Sequence, residues 1–282
     1  MCSSDLEEGL HCYVDGTEIL TENGFEDFRF LKAGVKVAQY HPDGEVTFVV
    51  PSEIIHSPYT GEVIEFRNDT LSYHSVVTPN HRCIAWDPRF ETTPKAELAC
   101  DISLHNKVIP VSGYAYQSGK KRYLTDWERL MIAFQADGHL CNPHTTEKGL
   151  VTGKYMLSFQ FMRQRKIDRL LGLIETLGLE HKISLISGGK NEGHTIIYVW
   201  VPNSTVLDKT FDWVKLDEVD GLWCADFIDE LMHWDGCARA HGSVLYSNTN
   251  KVAIDKVMAI AHLCGRRTGL YEIEGAEERK TC

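Results

Sequence analysis

Two stretches decide how this chain is read: "LMIAFQADG" (Leu130–Gly138) and "IDELMHWDG" (Ile228–Gly236). Each is an apolar run at helical spacing that closes in Asp-Gly. Working outward, "IDRLLGLIETLG" (Ile167–Gly178) is answered by "IDKVMAIAHLCG" (Ile254–Gly265), with Ile-Asp-basic and the final Gly at matching spacing. Strand patterns lie between, "KYMLSFQF" in the first copy and "GSVLYSN" in the second. A matched internal repeat is the strongest organisational signal in the chain. Each copy reads as helix, hairpin, helix and then strands, and the second copy ends before its final strand.

The first helix carries a start signal. Thr125-x-x-Glu128 fits a capping box ahead of Leu130, Ala133 and Phe134. "RKIDRLLGLIETLG" predicts an amphipathic helix with a glycine stop. "HKISLISGGKNEGHTIIYVWVP" (His181–Pro202) predicts a β-hairpin. If the two Asp-Gly helices pack side by side, Asp137 and Asp235 meet at their C-terminal ends. Two carboxylates there feel repulsive helix dipoles and each other. A divalent cation relieves both, and oxygen ligands suit Mg²⁺.

The first part reads differently. Residues 12–118 show short alternating runs separated by turn signals such as Asn23-Gly24, Pro42-Asp43-Gly44 and Pro79-Asn80, with no amphipathic helix. Cys12 precedes Asp15-Gly16-Thr17, and "HSVVTPNHRC" (His74–Cys83) places a hydroxyl, Thr78, three positions before an imidazole, His81. A thiol is a competent nucleophile when a base or hydrogen-bond donor stands near. The amide before Cys12 is a candidate electrophile, with Thr78 and His81 to distort or protonate it.

Composition narrows the classes. The chain has 282 residues and a net charge of −11, so two domains are expected. Residues 1–119 carry −10 and residues 120–282 carry −1. Basic clusters at Lys120–Arg122, Arg163–Lys166 and Arg266–Arg267 suit phosphate contacts if folding gathers them. Nine scattered cysteines with no Cys-x-x-Cys pair argue against a disulfide framework and structural zinc. No apolar run reaches the ~18 residues of a membrane span, and no signal-peptide pattern opens the chain. A cytoplasmic protein of a bacterial, archaeal or phage-infected cell is expected.

Taken together, residues 124–270 resemble a single-chain LAGLIDADG homing endonuclease. The Cys12, Thr78-x-x-His81 and "KAELACDISLHNKVIPV" (Lys95–Val111) blocks resemble the Hint (hedgehog/intein) splicing module. The resemblance implies a mixed fold: an all-β, horseshoe Hint domain, then an α+β endonuclease of two pseudo-twofold αββαββ repeats. The expected domains are a leader at 1–11 (residual N-extein or artefact), a partial splicing module at 12–118 and the endonuclease at 119–282. Its repeats are expected at about 124–202 and 222–282. The implied enzyme combines an N-to-S acyl shift at Cys12, assisted by Thr78 and His81, with Mg²⁺-dependent DNA cleavage at Asp137 and Asp235. Arg163, Asn250, Lys182 and Lys190 are candidates for DNA contact or a water network. The implied partners are double-stranded DNA, a flanking extein in cis and a C-terminal intein fragment in trans. The usual terminal His-Asn is not found in "EIEGAEERKTC", so splicing in cis is not expected. A DNA-binding relic and a self-cleaving hedgehog-type Hint domain are the alternatives.

Overall fold

The computed structural model describes residues 11–68, 73–103, 105–116, 119–141, 145–146, 149–150, 154–238 and 243–271. The expected leader, apart from His11, and the tail after residue 271 lie outside the described residues. The chain divides into two compact units, Met1–Gly119 with Ala261–Cys282, and Lys120–Ile260.

The first unit is built from antiparallel pairs. β1 (Glu18–Thr21) and β2 (Gly24–Asp27) form a tight hairpin, and β3 (Val37–Tyr40) and β4 (Val46–Val49) extend it in the order β2-β1-β3-β4. Thr21 is fully buried at the first turn, where its hydroxyl donates to Gly24 O at 2.8 Å and accepts from Asn23 N at 3.2 Å. β5 (Ile64–Arg67) pairs with β6 (His74–Val77), and β7 (Arg82–Ala85) with β8 (Lys95–Leu98). Alternation puts Ser75 and Val77, then Cys83 and Ala85, on the inner face. Phe66, Val77, Cys83 and Ala99 form the core there. Residues 262–265 return to this unit. Gly113 N donates to His262 O at 3.1 Å, and Ala115 N to Leu263 O at 2.9 Å. Gly113 is required, because a Cβ would lie 2.4 Å from Val46 Cγ2.

The second unit opens with α1 (Asp126–Asp137). Its capping box is formed: Thr125 Oγ1 accepts from Glu128 N, and the Glu128 carboxylate accepts from Thr125 N at 2.8 Å. β9 (Gly138–Cys141), the short pair β10 (Thr145–Thr146) and β11 (Gly149–Leu150), and β12 (Lys154–Phe161) follow. Next come α2 (Gln164–Thr176), β13 (His181–Leu185) and β14 (Thr195–Pro202). The sheet order is β13-β14-β12-β9, all antiparallel. Its inner face buries Leu157, Phe159, Phe161, Ile197, Val199 and Val201, and α2 buries Ile167, Leu170, Leu173 and Ile174. α3 (Gly221–Trp234) starts on Asp220, whose carboxylate accepts from Leu222 N and Trp223 N. β15 (Gly236–Ala238), β16 (Val244–Tyr246) and α4 (Lys251–His262) complete the described elements.

Phe211 is the one described non-glycine residue with positive φ, at 64°. That conformation is costly for a bulky side chain. Full burial against Phe227, at a ring separation of 5.1 Å, and the Asp208 carboxylate accepting from Phe211 N at 2.6 Å hold it there.

The expected fold class is corrected here. Among the described residues the second unit holds one four-stranded sheet and two two-stranded pairs rather than the matched sheets expected of two αββαββ repeats. Among the described residues, two three-residue strands lie between α3 and α4. The physical reason is chain length. From Gly236 the chain reaches α4 at Lys251, whereas from Gly138 it runs to Gln164 before α2, so the second stretch has eleven fewer residues from which to build a sheet. In the first unit the described strands form separate small sheets of four, two and two. None of the described helices is long and apolar enough to cross a membrane.

Candidate functional site

In the second unit, Asp137 is the last residue of α1 and Asp235 caps α3. Glycine follows each for a steric reason. A Cβ on Gly138 would lie 2.5 Å from Phe134 Cδ2, and one on Gly236 would lie 2.4 Å from Met232 Sδ. The chain therefore leaves both helices against their own last turns.

Both acids face one ammonium. Lys166 Nζ lies 2.5 Å from Asp137 Oδ2 and 3.9 Å from Asp235 Oδ1. Lys166 is the third residue of α2, its backbone N–H donates to Arg163 O, and its ammonium lies 5.9 Å from the centre of the Phe161 ring. Burial, with the neighbouring Asp137 charge, holds the Asp235 carboxyl above its ordinary range, against the pull of Lys166 and Lys209.

Lys209 closes the other side. Its ammonium donates to Phe134 O, to Gln135 O at 3.0 Å and to Gly138 O at 2.6 Å. These carbonyls lie at the end of α1 and the residue after it, and Phe134 O also accepts from Gly138 N. Burial lowers the Lys209 ammonium below its ordinary range, while Asp235 and Asp137 pull the other way. Buried Gln135 donates to Lys209 O and to the Tyr246 hydroxyl, both at 3.3 Å, and Asn248 Nδ2 donates to the same hydroxyl at 2.8 Å. Behind the acids, Glu230 of α3 is 1% exposed. It accepts from Arg129 at 2.7 Å, from Arg169 and from Trp234 Nε1 at 3.0 Å. Burial opposes ionisation of Glu230, but those donors hold its carboxyl below the ordinary range.

The other sequence candidates in this unit lie elsewhere. Arg163 is the residue before α2, and its carbonyl accepts from Lys166 N and Ile167 N. Asn250 caps α4, its side-chain oxygen accepting from Val252 N at 3.0 Å. Lys182 is exposed on β13 and Lys190 is exposed in the turn before β14. Lys166 pairs with the acids and Lys209 is near enough for its charge to be felt there, and the sequence reading missed both. Lys166 had a signal, since it stands beside buried Ile167 on the apolar face of a clear helix. Lys209 had none.

In the first unit, residues 12–14 run antiparallel to 76–78. Cys12 N donates to Thr78 Oγ1 and Thr78 N donates to Cys12 O, each at 3.0 Å, and Val14 N donates to Val76 O at 3.1 Å. The His81 N–H donates to Thr78 O. The His81 ring meets Tyr13 edge-on at 4.4 Å, and its Nδ1 is buried with no hydrogen-bond partner among the described residues. Burial is the main cause that lowers the His81 pKa to about 4. Cys12 is half-buried, and His11 Nδ1 lies against Asn80 O. Cys12, Thr78 and His81 are thus gathered around one backbone crossing. A cavity of about 290 Å³ nearby is lined by Tyr13, Tyr40, Tyr73, Cys83, Gly113 and His262.

No family model matches the chain. A curated relative, the ribonucleoside-diphosphate reductase subunit beta of Aquifex aeolicus (strain VF5), is 31% identical over 290 residues. The match takes in 91% of this chain and 40% of the relative, so the chain spans about two fifths of that protein's length.

This comparison corrects the splicing and endonuclease assignment. A match along nearly the whole chain leads to a protein named as a reductase subunit. The Hint and LAGLIDADG resemblance, the acyl shift and DNA cleavage are withdrawn with it. So are the DNA, extein and intein-fragment partners. The relative is an enzyme subunit, of a class other than the one expected. The expected Mg²⁺ falls too, and the geometry supplies a physical reason: an ammonium already stands 2.5 Å from Asp137 and 3.9 Å from Asp235. Among the described residues no group of three or more His, Cys, Asp or Glu could hold a metal ion.

Proposed function

We propose that this chain is a segment of a ribonucleoside-diphosphate reductase subunit beta polypeptide, acting in ribonucleotide reduction together with a second reductase subunit. The observation that carries this reading is the 31% identity along 91% of the chain. The proposal gives the reduction step itself to other parts of that polypeptide. In support, the described residues offer no cluster of three or more metal-ligating side chains, and the described helices of this chain run to only 12–14 residues.

Within the segment, Asp137, Asp235, Lys166 and Lys209 form a centre of two acids and two bases in a partly buried setting. Such a balanced group can hold and orient a polar substrate or a neighbouring segment. Cys12 with Thr78 and His81 forms a second centre, and there the half-buried thiol is the reactive atom.

The test is a reductase assay. The purified 282-residue chain, supplied with a second reductase subunit, is expected to reduce no ribonucleoside diphosphate. The longer polypeptide that contains it is expected to do so. Turnover by the chain alone would refute the placement of the reduction step. Absence of turnover from both would refute the reductase reading.

A further inference from the structure

We propose that the cavity of the first unit binds a small aromatic carboxylate, with its carboxylate on Arg82 and its rings among Tyr13, Tyr40 and Tyr73. The proposal stands apart from the reductase assignment, because it rests on the geometry of one unit alone.

The cavity has a fixed wall. Residues 109–113 run along one side of it. At one end of that stretch Val108 and Trp86 exchange two backbone hydrogen bonds, of 2.9 and 3.2 Å. At the other end Gly113 N donates to His262 O, and Gly113 O accepts from Gly265 N at 2.9 Å. A site whose walls are already held in place loses little freedom when a ligand enters. The cavity also joins two environments. Arg82 is exposed, whereas Val46, Cys83 and Leu263 are buried, so it runs from solvent into the core. Its volume of about 290 Å³ sets the size of the occupant. An apolar cavity of about 150 Å³ takes one benzene ring, so two fused rings suit this one.

Electrostatics select the sign. Among the described residues that line the cavity, Arg82 alone is charged at neutral pH, and no Asp or Glu joins it. Burial pushes the Cys83 thiol up to about 11 and lowers the His262 imidazole to about 4, so both are neutral there. Arg29, Arg89, Arg129 and Arg169 are each committed to a carboxylate. The Arg82 guanidinium has no ion pair or side-chain hydrogen bond among the described residues. A planar guanidinium matches a carboxylate with two parallel hydrogen bonds. Burial holds the Tyr40 and Tyr73 phenols above their ordinary range, so both stay protonated and keep an O–H to donate. The tyrosine rings supply aromatic surface for an apolar ring system.

The test uses 2-naphthoate as the probe and 2-naphthamide as its uncharged match, each titrated by calorimetry into the full chain at neutral pH. The wild type is expected to bind 2-naphthoate with a sub-millimolar Kd. Arg82 is exposed on β7, so Arg82→Gln leaves the core untouched. That substitution is expected to weaken 2-naphthoate at least about tenfold and 2-naphthamide less than about threefold. Ala38→Phe, which fills the cavity from β3, is expected to remove binding of both. Should Ala38→Phe fail to fold, amide NMR shifts in the wild type decide. On adding 2-naphthoate the largest shifts are expected at Ile109, Val111, Ser112 and Gly113. No binding of 2-naphthoate by the wild type would overturn the proposal, as would largest shifts at residues that do not line the cavity. Undiminished binding of both probes by a folded Ala38→Phe would overturn it too. An equal loss of the two probes in Arg82→Gln, or no loss of either, would overturn the role of Arg82.

Discussion

Glu230 shows at a single residue how this chain tolerates buried charge. Its carboxylate is 1% exposed and is met by two guanidinium groups and an indole N–H. Taking the carboxylate away leaves two partly exposed guanidinium groups and a buried indole N–H without their partner. Glu230→Ala is therefore expected to cost about 3–5 kcal/mol, the range for breaking a buried pair, read from urea unfolding followed by tryptophan fluorescence. A loss below about 1 kcal/mol would contradict the assignment. His81 gives a second prediction at this scale. Its folded pKa is about 4, below the ordinary imidazole value of 6.5, chiefly because burial disfavours the imidazolium. The unfolded chain then binds more protons between these values, so the contribution is intact above about pH 6.5 and declines as pH falls towards 4. The slope approaches about 1.4 kcal/mol per pH unit within that window. His262, also lowered to about 4 by burial, adds in the same direction. In an NMR titration the His81 ring proton is expected to stay at its neutral shift until below pH 5. Titration near 6.5 would contradict the burial argument.

At the scale of elements, glycines separate two physical situations. Gly138 and Gly236 lie where a Cβ would meet the preceding helical turn at 2.5 Å and 2.4 Å. Alanine at either is expected to cost about 1–3 kcal/mol, the usual range for overpacking. Gly172 sits within α2 with nothing within 4 Å of a Cβ. Gly172→Ala is expected to stabilise by about 0.5–1 kcal/mol through helix propensity. Thermal melts of the three variants check both signs, and a destabilising Gly172→Ala would show that the helix is constrained in another way. Much of this scale was legible in the sequence. Thr125-x-x-Glu128 marked the start of α1 through a reciprocal hydrogen bond between near neighbours. Gly178, at φ +62°, marked the end of α2. The carbonyls that Lys209 caps were not legible, because Lys209 is 71–75 residues away from them in an aperiodic loop. Asn250 was read for a polar network, yet it caps α4, as an asparagine before an apolar-periodic run commonly does.

At the scale of the molecule, the division differs from a simple cut in sequence. Residues 261–282 group with residues 1–119, and residues 120–260 form the other unit. The backbone bonds from Gly113 and Ala115 to residues 262 and 263 make that grouping, and no local pattern announces a pairing across so many residues. The family assignment was misread for a related reason. It rested on a few short blocks, around Cys12, Thr78, Asp137 and Asp235, whereas the 290-residue match weighs nearly the whole chain and leads to a reductase subunit. On the proposed reading these residues are made as one part of a polypeptide about two and a half times as long, the ratio implied by 40% coverage of the relative. The direct measurement is the mass and peptide map of the native protein, captured from source cells with an antibody against residues 120–260. The expected result is a single long polypeptide in which peptides of this chain are joined to further reductase sequence. A free species composed of these residues alone, with the reductase sequence in a separate molecule, would contradict it.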